Sequence, residues 1–277
     1  MAARPESGGP AEPVAAPDPS GWAPTASDTA SLELVAGPAD APTIVFVHGT
    51  RMSRSYWTPQ IEALSDEFRI IAVDLPGHGG HGHERFTLDG AVARIAAVIE
   101  GQAGGRAIVV GLSLGGYVAM ALAADRPELV RGLVVSGATI EPAGRLRRAV
   151  LALAVAFDLG QTRWVDPVSA RYYRTRYPAV IAEPVIAGGF WSAGGATALR
   201  ALAGERFKPR LAAYPGPVLL INGSQDFVMR PGARGFAAVA KDVRRVRIRG
   251  ASHLANLDQP AAFNGAIRRF ARSLDGR

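Results

Sequence analysis

The sequence predicts an α/β fold: a mostly parallel, doubly wound sheet flanked by helices, with a helical cap inserted late in the chain. Three observations carry this. Short runs rich in β-branched residues recur along the 277 residues, each ending in a turn signal. Stretches with apolar residues at helical spacing lie between them. The alternation lapses once, from about residue 138 to 215, and then resumes. Near-continuous apolar strands alternating with helices imply a parallel sheet covered on both faces.

Taken in order, residues 1–30 are rich in Pro, Ala, Gly and Ser and lack the apolar stretch of a secretory signal. They are expected to form a flexible tail, with Trp22 available to tack its end onto the domain. Residues 31–35 suit an edge strand. The run TIVFV at 43–47 leads into His48-Gly49, and RIIAV at 69–73 into Asp74-Leu75-Pro76-Gly77. AIVV at 107–110, GLVV at 132–135, PVLLI at 217–221 and VRRVRI at 243–248 follow, each ending at or near glycine. Helical patterns occupy 56–65, 88–99, 114–124, 231–240 and 260–274; the third is almost wholly apolar and should be buried. Residues 31–137 and 216–277 thus form the core. Residues 138–215 are expected to form a cap over the sheet's carboxyl edge, where open α/β sheets bind ligands.

Composition narrows the function. There is no cysteine, which removes disulfides, thiolate nucleophiles and zinc–cysteine sites. The longest apolar run, residues 149–157, is less than half the length of about 20 that a membrane span needs, so no membrane partner is expected and a cytoplasmic location is. The net charge is +7. Residues 141–210 hold eleven Lys/Arg and five Asp/Glu, so most of that excess sits in the cap. No nucleic-acid-binding motif accompanies it, and nucleic acid is not expected as a partner. The excess favours acidic acyl groups near the cap, or else is a solvated arginine face.

Gly111-Leu112-Ser113-Leu114-Gly115 follows a predicted strand and opens a predicted helix, the context of a G-x-S-x-G nucleophile elbow. The turn must be strained for the Ser113 hydroxyl to project from the top of the sheet, and side chains at either glycine would collide with neighbouring elements. In a chain with 32 glycines the pattern alone is weak; the strand before it and the apolar helix after it make it specific. The bland alternative for Ser113 is a helix N-cap.

With these residues the chain resembles the α/β-hydrolase superfamily, over about residues 32–274. His48-Gly49-Thr50 is similar to the family's HG-x oxyanion loop, and Asp74-Leu75-Pro76-Gly77-His78-Gly79 to its D-x-P-G-H-G loop. The resemblance implies a catalytic serine, acid and base in that chain order. Asp226, in Asn222-Gly223-Ser224-Gln225-Asp226, matches the family's acid position. Glu141 offers a rival after the preceding strand, while Asp74 is implied to hold its own loop and Asp258 reads as a helix-cap neighbour. Five histidines leave few candidates for the base. His48 is implied to be structural, and His78, His81 and His83 crowd a glycine-rich loop. They lack a carboxylate or cysteine at ligand spacing, so no metal is expected. His253, after the last strand, is the expected base.

Thr50, by its match to the HG-x loop, and Leu114, after the nucleophile, are the expected backbone donors of an oxyanion hole. Substrate contacts are expected from Arg51 and from the cap aromatics Trp164 and Trp191; Arg51 has the alternative of pairing with a surface carboxylate. These expectations describe a cofactor-free serine hydrolase acting on a carboxylic ester or lactone, with a small acyl substrate, anionic or aromatic, as its partner. Thioester cleavage, C–C hydrolysis and perhydrolysis use the same residues, and a ligand receptor on the same fold stays open. Serine at position 113 argues against dehalogenase and epoxide hydrolase chemistry, which places aspartate there.

Overall fold

The computed structural model describes residues 33–159 and 165–275. Its strands are β1 (Glu33–Ala36), β2 (Thr43–Val47), β3 (Arg69–Val73), β4 (Ala107–Leu112), β5 (Val130–Ser136), β6 (Pro217–Gly223) and β7 (Asp242–Ile248). Its helices are α1 (Thr58–Leu64), α2 (Leu88–Gln102), α3 (Leu114–Asp125), α4 (Leu146–Leu159), α5 (Val165–Arg176), α6 (Ala179–Ala187), α7 (Ser192–Leu202), α8 (Phe207–Ala213), α9 (Ala233–Ala237), α10 (Ala255–Asp258) and α11 (Pro260–Arg272). The expected tail, residues 1–30, lies outside the described residues.

The strands form one sheet in the order β1-β3-β2-β4-β5-β6-β7. Six are parallel, and β1 pairs antiparallel with β3, Glu33 opposite Val73. Side chains alternate across the pleat, so each strand feeds two cores. Val45 and Val47 pack toward α2, α3, α8 and α9, alongside Tyr117, Phe207 and Phe236. Ile44 and Phe46 pack the other way, against α1 and α11, with Trp57, Phe263 and Phe270. Residues 114–123 of α3 are all buried, as a helix apolar on every side requires. Strand β7 is the exposed edge, and Arg244, Arg245 and Arg247 keep it charged, which discourages edge pairing.

The sheet order locates the site. From β2 the chain leaves toward β3 on one side, and from β4 toward β5 on the other. The carboxyl ends of β2 and β4, adjacent with Val47 opposite Gly111, therefore diverge and leave a crevice between them. Between β5 and β6 the described chain is helical. Of those helices, α8 packs back on the core: Phe207 and Leu211 are fully buried, and Tyr214 Oη, just beyond, donates to Val130 O at 3.0 Å.

Several element ends differ from the sequence expectation. The predicted helix at 56–65 begins as a 3-10 turn over Arg54–Trp57, and Pro59 opens the α-helix behind it. The predicted 231–240 helix shortens to α9 after a 3-10 turn. The α-helix before β5 ends at Asp125, just ahead of Pro127.

Candidate active site

Ser113 sits between β4 and α3 with φ 52° and ψ −114°. Only Arg51, at φ 64°, shares a positive φ among the described non-glycine residues. The flanking glycines make the bend possible. A Cβ on Gly115 would fall well inside 3.0 Å of the Val47 carbonyl, and one on Gly111 equally close to the Gly115 carbonyl. Ser113 N–H donates to Ser136 O at 2.8 Å, tying the elbow to β5. Gly49 lies alongside, its Cβ position 3.6 Å from Ser113 Cβ.

His253 follows β7 and its ring lies over Gly137, just past β5. Its Nδ1 donates to Asp226 Oδ2 at 3.0 Å, which in the neutral ring makes Nε2 the acceptor nitrogen. Asp226 is buried. Desolvation pushes its carboxyl up, but the His253 hydrogen bond and the Met229 and Val228 N–H groups hold it below its ordinary value. Ser113 and His253 line the same cavity; no hydrogen bond joins the Ser113 hydroxyl to the His253 ring among the described residues.

Thr50 and Leu114 reach the same crevice. Leu114 is the first residue of α3, where no carbonyl within the helix can take its N–H and the helix dipole favours negative charge. Among the described residues the Thr50 N–H donates to no backbone carbonyl. The sequence-selected Ser113, Asp226, His253, Thr50 and Leu114 thus meet at one end of the sheet.

Arg51 and Trp191 do not line this cavity. The Arg51 guanidinium donates to Ser192 Oγ (2.9 Å) and Ser169 Oγ (3.2 Å) and lies over the Phe157 and Phe190 rings. Neither a substrate-facing charge nor a surface ion pair describes it, because its side chain is spent joining loop to cap. Trp191 packs its indole against Gly82 and donates Nε1–H to Gly188 O at 2.9 Å, so its polar edge is satisfied within the protein. Trp164 lies outside the described residues.

The other candidates hold the frame. Glu141 accepts from the N–H groups of Phe207 and Lys208, capping α8. Asp74 accepts from Arg54 N–H (2.6 Å) and Gly80 N–H (2.9 Å). His48 donates Nδ1–H to Gly49 O and accepts Leu75 N–H at Nε2, which requires the neutral ring; burial lowers its pKa to about 4. Among the described residues no group of three His, Asp or Glu side chains is placed to hold a metal.

Two features escaped the sequence reading. One wall of the cavity is a stripe on α4, Leu146, Ala149, Val150, Leu153 and Phe157, at the i, i+3, i+4, i+7 spacing that the long apolar run contains. Asp258 also does more than cap a helix. Its Oδ2 accepts from Ser252 N–H (2.7 Å) and the Ser252 hydroxyl, its Oδ1 from Arg176 (2.9 Å) and Tyr177 (3.0 Å). A single buried carboxylate therefore joins α5 to the His253 loop.

The profile of the Alpha/beta hydrolase family matches residues 44–266. The chain belongs to the α/β hydrolase family. This α/β hydrolase is 26% identical over 250 residues to the 3-oxoadipate enol-lactonase 2 of Acinetobacter baylyi, covering 88% of this chain and 93% of that one. The enol-lactonase from Burkholderia xenovorans LB400 superposes with a TM-score of 0.72 at 23% identity, over 87% of this chain and 95% of that one. A thermophilic esterase from Thermogutta terrifontis does so with a TM-score of 0.72 at 23% identity, over 87% and 93%. At that identity the two structures show the shared fold. The α/β-hydrolase fold expected from the motifs is the fold observed, and the chain is a hydrolase of this family. No described helix is long and apolar enough to cross a membrane.

Proposed function

We propose that this hydrolase cleaves a carboxylic ester or lactone through an acyl-enzyme on Ser113. The observation that carries the reading is the His253–Asp226 hydrogen bond in the cavity that Ser113 lines, since a carboxylate on Nδ1 supports Nε2 as the base. Ser113 Oγ attacks the carbonyl carbon as its proton passes to Nε2. The carbonyl π pair moves onto oxygen, held by the Thr50 and Leu114 N–H groups. Collapse breaks the C–O bond, and the alkoxide leaves with the proton from Nε2. Water then gives a proton to Nε2, attacks the acyl carbon, and releases the acid and the regenerated serine. Catalytic hydrogen bonds often close only in the substrate complex, which fits the open Ser113–His253 contact. The enol-lactonase and esterase relatives support ester-type chemistry by similarity.

The test is labelling by an organophosphonate serine probe, followed by peptide mapping. Stoichiometric modification of Ser113, lost in Ser113→Ala and strongly slowed in His253→Ala, is expected. Labelling elsewhere, or undiminished ester turnover by His253→Ala, overturns the assignment.

A further inference from the structure

We infer that the acyl group this enzyme accepts is an uncharged, unbranched aliphatic chain of medium length, lying along α4; this rests on the ester-hydrolase reading above. The cavity at Ser113 has a volume of about 420 Å³, within the range of small-molecule sites. Its described side-chain lining is apolar except at Thr50, Ser113, Tyr117 and His253, with Met52 and Met229 adding thioethers to the hydrocarbon. The Tyr117 hydroxyl is already spent on Ile140 O at 2.9 Å. Of the remaining polar side chains, Ser113 and His253 are assigned to the reaction, which leaves the Thr50 hydroxyl, beside the oxyanion position, and no charged group along the α4 wall among the described residues.

The charge of the described cap residues does not reach the cavity. Among the described residues no lysine or arginine lines it. Arg174 pairs with Glu183, Arg176 with Asp258, Arg200 with Asp158, and Arg210 with Asp125 and Glu205. A second carboxylate on the acyl chain would be desolvated against Leu146, Val150 and Leu202 with no cation to meet it, a strongly unfavourable burial. Arg145, Arg147, Arg148, Arg171 and Arg206 are exposed, which fits the solvated arginine face rather than the attraction to acidic groups that the sequence also allowed.

Shape points to a chain. The α4 stripe runs from Leu146 to Phe157, about 16 Å at the helical rise of ~1.5 Å per residue. The Leu146 end adjoins Pro142 and Leu202, and the Phe157 end approaches Thr50 across Gly195. Leu146 and Leu153 keep 43% and 46% of their surface exposed. Their apolar surface is therefore unsatisfied by the protein and becomes covered when a chain occupies the cavity.

The experiment measures kcat/KM for p-nitrophenyl acetate, butyrate, hexanoate, octanoate and decanoate, and for the mono-p-nitrophenyl ester of adipic acid, in parallel with the serine-probe labelling. Each methylene taken from water contributes up to about fourfold, so a rise of at least 20-fold from acetate to hexanoate or octanoate is expected, with the adipate ester below hexanoate. Leu153→Glu, a half-exposed position that folding tolerates, should collapse the octanoate-to-acetate ratio at least tenfold while the thermal midpoint stays near wild type. A flat series, a maximum at acetate, or preference for the adipate ester overturns the inference while a labelled Ser113 leaves the reaction reading standing. Failure of Ser113 to label overturns both.

Discussion

Acid should unfold this protein through two histidines that take no part in the proposed chemistry. His48 and His78 are buried with ring centroids 5.1 Å apart. Burial is the main cause that lowers their pKa values from 6.5 to about 4 and about 3, with His48 lowering His78 further. Because the folded values lie below the unfolded ones, the stabilisation is full above about pH 6.5 and is lost as the pH falls toward the folded values. At pH 5 each ring is mostly protonated in the unfolded chain and neutral in the folded one. Integrating between pH 7 and pH 5 gives about 2 kcal/mol per ring, or about 4 kcal/mol together, a large part of a typical ~5–15 kcal/mol domain stability. Urea unfolding at the two pH values reads this directly. His78→Asn keeps a donor for Pro76 O but cannot titrate, so its stability should fall about 2 kcal/mol less than wild type over the same interval. An unchanged pH slope in that variant would refute the reasoning, whatever its stability at pH 7.

Asp226→Asn should lower kcat about 10⁴-fold, as loss of the triad carboxylate does elsewhere, with little change in KM for short esters; steady-state ester kinetics check it. Asp258→Ala strips the acceptor from Ser252, Arg176 and Tyr177 and should cost about 2–3 kcal/mol of stability, visible as a lower thermal midpoint by circular dichroism. Arg51→Ala should reduce kcat at least tenfold without abolishing probe labelling, and Arg51→Lys should not rescue it, because a lysine cannot reproduce the two fixed donors and the stacking.

Much of this was legible because it is local. The β-branched runs ending at glycine marked six of the seven strands, and the residues just past β2, β4, β6 and β7 (Thr50, Ser113, Asp226 and His253) are those that any parallel sheet collects at one edge. The antiparallel pairing of β1 was not legible, since a four-residue strand carries no direction. The cap was the least readable part. Residues 149–157 spell an apolar run whether the helix faces a core or a cavity, and only the fold shows that α4 turns one stripe to Ser113. Aromatic identity likewise placed Trp191 near substrate, whereas contacts with Gly82 and Gly188 hold it elsewhere. Charge counts left two readings open for the same reason: eleven basic residues say nothing of whether each meets a carboxylate, and the four that do in these ion pairs meet one from another helix.

The two strained residues explain why a cap matters beyond its walls. Positive φ at a non-glycine residue costs about 1–3 kcal/mol and persists only where surroundings enforce it. Ser113 and Arg51 stand at the carboxyl ends of adjacent strands, on either side of the crevice. The core enforces the first, through the glycine contacts around β4 and the Ser136 carbonyl. The cap enforces the second: Trp191 N–H donates to Arg51 O at 3.0 Å, while Ser169 of α5 and Ser192 of α7 hold the guanidinium. Phe157, at the end of the α4 stripe, stacks on that same guanidinium. On the proposed mechanism the Leu114 N–H is held by the sheet, and the Thr50 N–H precedes an Arg51 backbone that contacts from α5, α7 and Trp191 hold in place. Loosening these helices would release the Arg51 backbone and, through Asp258, the loop that carries His253, while Ser113 stays tied to the sheet by the Ser136 carbonyl.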